Sequence, residues 1–359
     1  MTPQHVCVAM SGGVDSSVAA VLLQQAGYQL SGVNLRLYHN EDLGQSREKT
    51  CCSLSDAEDA ALVARRLGFP FYVFDFSQVF RDTVIRDFVE EYQAGRTPNP
   101  CAQCNRTVKF GALMQRVREL NRDFLATGHY ARVEQDPDSG RYLLKRAADR
   151  SKDQTYFLYM LTQDQLAHTL FPLGGLQKSE VRQIAEAHGL INAKKHDSQD
   201  ICFVPDGKYA AFIERTTGQV SPAGPFLNQE GRVLGQHKGM IRYTLGQHKG
   251  LGLSTDEPLY VLEKDAAANA IRLGPDSALW TRTLTADQVN LISVPELTTP
   301  MRVTAKTRYS QRESAATAEV LPDGRLRVVF DEPQRAVTPG QAVVLYDGEN
   351  VVGGGTICG

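Results

Sequence analysis

An apolar run, Val6 to Met10, passes directly into Ser11-Gly12-Gly13 and then into Val14 to Gln25, where apolar residues recur at 14, 18, 21 and 22. The run predicts a strand, and the spacing that follows predicts an amphipathic helix. A strand that turns through glycines into a helix opens an α/β unit. Two glycines permit positive φ and close backbone approach. The loop amides and the helix N-terminus then form an anion site. Ser11, Ser16 and Ser17 add hydroxyl donors, and Asp15 offers a carboxylate for Mg²⁺. No Lys-Ser/Thr pair follows the glycines, so this is not a Walker A loop. A plain glycine turn with a serine N-cap is the alternative.

The alternation continues. Strands are predicted at Gly32 to Tyr38, Phe69 to Phe74 and Phe124 to Thr127, and helices at Ser55 to Leu67, Val79 to Glu91 and Lys109 to Leu120. This pattern gives a doubly wound parallel sheet with helices on both faces. After residue 205 the texture shifts to glycine, proline and short runs such as Val233-Leu234-Gly235, Tyr260-Val261-Leu262 and Ile271-Arg272-Leu273. From 281 onward, β-rich segments recur between turn signals such as Pro322-Asp323-Gly324. We expect three domains: 1–205 nucleotide-binding, 206–280 small and β-rich, and 281–359 a β-barrel. A chain of 359 residues accommodates them. No run of about 18 apolar residues predicts a membrane span, and Met1-Thr2-Pro3-Gln4-His5 has no signal-peptide pattern. A net charge of -2 permits a nucleic-acid partner only if cations gather on one face. Seven cysteines at irregular spacing favour catalytic or metal-binding thiols in a reducing cytoplasm over a disulfide framework.

Two cysteine segments narrow the chemistry: Thr97-Pro98-Asn99-Pro100-Cys101-Ala102-Gln103-Cys104-Asn105-Arg106, and Asp197-Ser198-Gln199-Asp200-Ile201-Cys202-Phe203. Sulfur transfer needs one thiolate to carry a persulfide sulfur and a second to resolve the remaining linkage as a disulfide. The Ser11–Ser17 loop resembles the PP-loop of the ATP pyrophosphatases, which implies cleavage of ATP between its α and β phosphates. With Asn99-Pro100, Cys104-Asn105, Thr127-Gly128-His129-Tyr130, Lys152-Asp153-Gln154, Asp197-Ser198-Gln199 with Cys202, Tyr243-Thr244, Gly246-Gln247 and Gly353-Gly354-Gly355, the whole chain resembles the tRNA-specific 2-thiouridylases. The resemblance implies an adenine nucleotide α-hydrolase-like first domain, ATP and Mg²⁺ as requirements, tRNA as substrate with the wobble uridine as target, and a sulfur donor that is a cysteine desulfurase or relay protein.

Carried over by position, Cys104 matches the nucleophile and Cys202 the persulfide carrier, and the two are implied to form a disulfide in turnover. Ala9, Met10, Ser11, Gly12, Gly13, Val14, Asp15, Ser16, Leu35 and Gly128 fall on nucleotide positions. Asn99, Pro100 and Cys101 fall on the target-base segment, and His129, Lys152, Asp153, Gln154, Arg308, Tyr309 and Gln341 on tRNA-contacting positions. Cys101 replaces an aspartate proposed as acid/base in many members. Cys101, Cys104 and Cys202 also make a possible ligand set for zinc or an iron–sulfur cluster, with Cys51-Cys52 as a further source. Cys7 reads as core and Cys358 as a tail thiol.

Lys145, Arg146, Arg150 and Lys152 read as phosphate contacts preceding Tyr156-Phe157-Leu158-Tyr159, a core helix. Strand periodicity would put Arg302, Lys306, Arg308 and Arg312 on one basic face. His237-Lys238 and His248-Lys249 read as surface or RNA-facing. A different PP-loop enzyme needs ATP but neither cysteine, and a non-enzymatic RNA- or cluster-binding protein leaves the loop without a purpose.

Overall fold

The computed structural model describes residues 3–39, 54–193, 195 and 201–358. Cys51, Cys52 and Asp197-Ser198-Gln199-Asp200 lie outside the described residues.

The first unit contains β1 (His5–Ala9), β2 (Gln29–Arg36), β3 (Phe71–Asp75), β4 (Phe124–Thr127), β5 (Arg132–Gln135), β6 (Tyr142–Lys145) and β7 (Thr169–Leu170). Five of them form a sheet in the order β3-β2-β1-β4-β7, with every pair parallel. Alternation along β1 sends Val6 and Val8 to one face and Cys7 to the other. On the first face pack α1 (Val14–Gln25), α2 (Leu54–Leu67) and the helix Lys178–Ala187, through Val18, Val21, Ala60, Val63, Val181 and Ala185. On the second pack Phe110, Leu113, Met114 and Val117, with Val33 and Leu125 of the sheet. Helices therefore cover both faces, as the alternation predicts.

The helix predicted from Lys109 starts earlier, at Pro100–Cys104, and continues through a π-helical stretch, Asn105–Leu113, into Met114–Glu119. Asn99 caps it by accepting from the Ala102 amide at 3.2 Å, and Pro100 occupies the first turn, where its missing N–H costs nothing. Asn-Pro reads as a loop until the cap is seen.

In the second unit β8 (Gly224–Leu227), β9 (Val233–His237), β10 (Tyr260–Asp265) and β11 (Ala270–Gly274) form a mixed sheet, β10-β11-β8-β9, over Phe226, Val261, Ile271 and Leu273. His237 is buried there, bonded to the Asn269 carbonyl at 3.0 Å and accepting from the Gly239 amide at 3.1 Å, so it does not face RNA.

The third unit is an antiparallel barrel of β12 (Trp280–Leu291), β13 (Met301–Lys306), β14 (Ser314–Val320), β15 (Leu326–Arg335), β16 (Ala342–Asp347) and β17 (Asn350–Ile357), closed by pairing of β12 with β17. A Cβ on Gly353 would stand 2.2 Å from the Asn290 carbonyl oxygen, and one on Gly355 2.7 Å from that of Asp287, so the glycine run lets the closing strands meet. The hairpin β5–β6 adds to β17 through Lys145 and Asn350 and ties the barrel to the first unit.

That junction absorbs the first basic cluster. Lys145 pairs with Glu134, Arg150 with Glu349, and buried Arg146 with Glu313 while lying 3.8 Å over the Tyr346 ring. Arg146 and Arg150 hold the first unit to the barrel, Lys145 braces its own hairpin, and phosphate contact is not the use of any of the three in this state. Tyr156, Leu158 and Tyr159 are core as expected, but only Thr155–Phe157 is helical, as a 3₁₀ turn. The second basic stretch also departs from expectation: β13 ends at Lys306, so Arg308 and Arg312 lie beyond it and no single strand face carries all four.

Among the described residues no helix is long and apolar enough to cross a membrane.

Candidate active site

In an open parallel sheet the ligand crevice forms outside the carboxyl ends of the strands, where the chain order reverses. Here that point lies between β1 and β4. Ala9 and Met10 end β1 and lead into the phosphate loop; Met10 is fixed by its amide to the Val33 carbonyl at 2.7 Å and by its carbonyl to Asn34 Nδ2 at 2.8 Å. Gly12 has φ +77, and a Cβ there would stand 2.2 Å from the Asp56 carbonyl oxygen. Gly13 is the N-cap of α1 and no side chain caps it, which rules out the serine cap and leaves first-turn amides for an anion. Ser16 Oγ accepts from the Ser11 amide at 3.2 Å and, like Ser17 Oγ, donates to the Gly13 carbonyl. Val14 is buried beneath the loop. From β4, Gly128 backs onto the same turn, where a Cβ would lie 2.7 Å from the Ser16 nitrogen. Leu35, on β2, packs between the two apolar clusters on that side of the sheet.

Asp15 is not presented to a metal. Lys178 Nζ donates to both its oxygens, at 2.7 and 2.8 Å, and the Tyr130 hydroxyl donates to Oδ1 at 2.9 Å. Gln154 holds Tyr130 in turn, accepting from its amide at 2.9 Å. Among the described residues no three His, Cys, Asp or Glu side chains are grouped to hold a metal ion. Cys101, Cys104 and Cys202 therefore do not fit a cluster site in this state.

The cysteines divide by environment. Cys101 is exposed and Cys104 is buried. Burial pushes the Cys104 thiol up to about 11, against the pull of Lys109, with Cys101 adding to the rise. Cys202 is half-buried and packs against the apolar cluster that contains Cys104, Phe80, Phe88, Val108 and Phe203. Phe203 sits edge-on to Phe88 at 5.2 Å, and the Tyr38 hydroxyl donates to the Cys202 carbonyl at 2.9 Å, so Cys202 is anchored from both sides. No disulfide is present among the described residues.

The tRNA positions scatter. Half-buried His129 hydrogen-bonds Thr127 Oγ1 at 2.7 Å and rests against the Phe110 and Phe171 rings; burial, then Lys109, hold it well below the usual imidazole range, so it is neutral. Asp153 is buried and accepts from Ala147, Thr155 and the Thr155 hydroxyl, which makes it a turn-former. Lys152 is half-buried in that turn. Tyr309 is 39% exposed and its ring lies tilted against that of Phe157 at 4.5 Å, while Asn105 Nδ2 donates to the Phe157 carbonyl at 2.9 Å. Gln341 Nε2 donates to the Thr97 and Pro98 carbonyls at 2.9 and 3.0 Å, so the barrel holds the segment entering Asn99-Pro100-Cys101. Arg308 donates to the Arg335 and Ala336 carbonyls. Pattern reading missed Lys109, Tyr130 and Lys178; only Tyr130 had a signal, its place in the Thr127–Tyr130 motif.

Residues 4–206 match the tRNA methyl transferase HUP domain, 210–275 the tRNA methyl transferase PRC-barrel domain, and 281–357 the aminomethyltransferase beta-barrel domain. The tRNA-specific 2-thiouridylase MnmA of Acetivibrio thermocellus is 48% identical over 99% of this chain and 100% of its own length. That of Clostridioides difficile is 47% identical over 99% of this chain and 98% of its own. A U34-tRNA thiolase from Methanococcus maripaludis, solved with a [4Fe-4S] cluster, aligns with 60% of this chain and 70% of its own at 18% identity and a TM-score of 0.35, too distant to bear on the site. On its full-length identity to these enzymes, the chain belongs to the tRNA-specific 2-thiouridylase family.

Proposed function

We propose that this chain carries out ATP-dependent 2-thiolation of a tRNA uridine, the wobble uridine, in the cytoplasm. The observation that carries the reading is that Cys104 and Cys202, far apart in sequence, meet one apolar cluster with Leu37 and Tyr38, which follow β2, the strand beside the β1 that leads into the phosphate loop. The uridine is flipped out of the anticodon stack, because its C2 is shielded there. Its O2 attacks the α-phosphate of MgATP and pyrophosphate leaves. Amides of the loop and of α1 hold the phosphates, with Gly128 at their back. Cys202, loaded with a terminal sulfur by a cysteine desulfurase or relay protein, attacks C2 through that sulfur and AMP leaves. The Cys104 thiolate attacks the Cys202 sulfur of the bridge, which releases 2-thiouridine and forms a Cys104–Cys202 disulfide. An external thiol reductant restores both. Burial keeps Cys104 protonated until the substrate complex forms, which protects the Cys202 persulfide from early attack by Cys104. Asn99, Pro100 and Cys101 meet the base, with Cys101 in the acid/base role. Lys152, Arg308 and Tyr309 meet the tRNA, and His129, Asp153, Gln154 and Gln341 shape the surfaces that do.

The test is thiolation of unmodified tRNA with ATP and a cysteine desulfurase supplied with cysteine, alongside pyrophosphate release. Cys202→Ser is expected to adenylate tRNA without thiolating it. Full thiolation by that variant ends the persulfide relay. Pyrophosphate release without 2-thiouridine in the wild type points to another PP-loop reaction.

A further inference from the structure

Asn105 follows Cys104 in the helix that starts at Pro100 and is 3% exposed. Its Nδ2 donates to the Phe157 carbonyl at 2.9 Å. A carbonyl can only accept, so this contact settles which end of the amide is the oxygen. Oδ1 is buried and has no hydrogen-bond partner among the described residues. A buried acceptor left without a donor destabilises a fold, and folded chains retain few of them. Thr97 Oγ1 is another. The two bracket Asn99-Pro100-Cys101, the run that the proposed function sets against the target base.

The helix decides where that oxygen is offered. The Asn105 backbone N–H bonds back to the Cys101 carbonyl, so the two residues stand one turn apart on one face. Helical side chains lean toward the N-terminus, which brings the Asn105 amide under Cys101. Cys101 is exposed and Asn105 buried, so this face runs from a mouth at Cys101 to a floor at Asn105. Phe157, whose carbonyl holds the other end of the amide, carries its ring tilted against that of exposed Tyr309 at 4.5 Å. A planar ring entering here meets aromatic side chains and one fixed acceptor. A flipped base is read by hydrogen bonds to its pairing edge. On that edge uracil has one donor, N3–H, whereas cytosine has only a lone pair at N3. N3 is bonded to C2, so a hydrogen bond there also holds the reacting carbon in place.

We propose that Asn105 is a specificity-determining residue for the target base: its Oδ1 accepts from N3–H of the flipped uridine, and the Phe157 carbonyl fixes the amide so that the oxygen, not the nitrogen, meets the ring. This rests on the proposed function, in which a flipped uridine meets Asn99, Pro100 and Cys101. Oδ1 is closed over in the free chain, so Cys101 and the Tyr309 ring, both exposed, give way as the base enters. A site built to bond a donor rejects the analogue that lacks it, because its own acceptor is then left bare.

The experiment measures pyrophosphate release by the full chain with ATP on two tRNAs that differ only at the target position, one carrying uridine and the other cytidine, and takes the ratio of kcat/KM. The wild type is expected to prefer uridine by about tenfold or more, the discrimination one unmet buried acceptor supplies. Asn105→Ala is expected to lose rate on uridine and to bring the two tRNAs within about threefold of each other. Asn105→Asp, which keeps an oxygen acceptor, is expected to hold the preference at pH 8. A thermal melt on each variant checks the fold. A wild type without preference overturns the proposal, and so does a folded Asn105→Ala with the wild-type ratio, which would leave Asn105 only a brace for Phe157. Loss of the preference in Asn105→Asp overturns it too, whether or not Asn105→Ala folds. No pyrophosphate release by the wild type on the uridine tRNA would instead remove the proposed function and this inference with it.

Discussion

Cys104 shows how far one residue's environment departs from its chemistry in water. Its thiol is pushed up to about 11 by burial, so it is protonated at neutral pH. In the free enzyme we expect alkylation of Cys104 to be much slower than that of exposed Cys101 at neutral pH and to climb as pH rises toward 11. Site-resolved labelling across pH checks this; equal rates at neutral pH would contradict it. Asp87 is the second perturbed group. Burial, then Glu91 and Glu90, raise its carboxyl to about 6. The folded state therefore holds the proton more tightly than the unfolded one, so its stabilising contribution is complete below about pH 4 and lost as pH rises through about 6. Asp87→Asn is expected to stabilise the protein at neutral pH by about 1 kcal/mol, after discounting for solvent screening, and to give nothing below about pH 4. Thermal melts of both proteins across that range read the difference.

At the scale of elements, the site is set by how closely backbone approaches backbone. Gly128 of the β4 exit lies so near the first turn of α1 that a methyl group would meet the Ser16 nitrogen at 2.7 Å. Gly128→Ala is expected to displace that turn and weaken ATP binding by about tenfold or more, since overpacking against rigid backbone costs about 1–3 kcal/mol. Calorimetric titration with ATP measures it, and unchanged affinity would show that the loop tolerates the shift. This proximity explains what the sequence made legible. Strand, loop and helix at 6–25 are local patterns and are read correctly, as is the core role of Cys7. The Lys178–Asp15–Tyr130 contact joins residues 163 and 115 positions apart, and nothing local to any of them announces it. Arg146 was misread for the same reason: among basic neighbours it resembles a phosphate ligand, but the fold brings Glu313 and the Tyr346 ring to it. The helix expected from Lys109 begins at Pro100 instead, because the sequence alone does not mark Asn99 as the cap that starts it.

The whole molecule carries a net charge of -2, so a polyanionic substrate has to be met by cations that are not already neutralised. On the barrel most are neutralised: Arg302 pairs with Asp331, Arg325 with Asp323, Arg327 with Glu319 and Arg335 with Asp276. Arg308 differs. Its guanidinium is oriented by the Arg335 and Ala336 carbonyls through one nitrogen, and among the described residues it makes no ion pair with a carboxylate. It neighbours exposed Tyr309, whose ring faces Lys306 Nζ at 5.8 Å. A half-buried cation held by neutral acceptors keeps its full charge for a phosphate, whereas Arg302 would first have to leave Asp331. Arg308→Ala is therefore expected to weaken tRNA binding and to lower the slope of log affinity against log salt by about 1. Arg302→Ala is expected to leave that slope unchanged. Filter binding over a salt series compares the two, with a thermal melt on each because Arg308 also ties the turn after β13 to the end of β15. A destabilised Arg308→Ala with the wild-type slope would make this arginine a structural clamp and move the RNA contact elsewhere on the barrel.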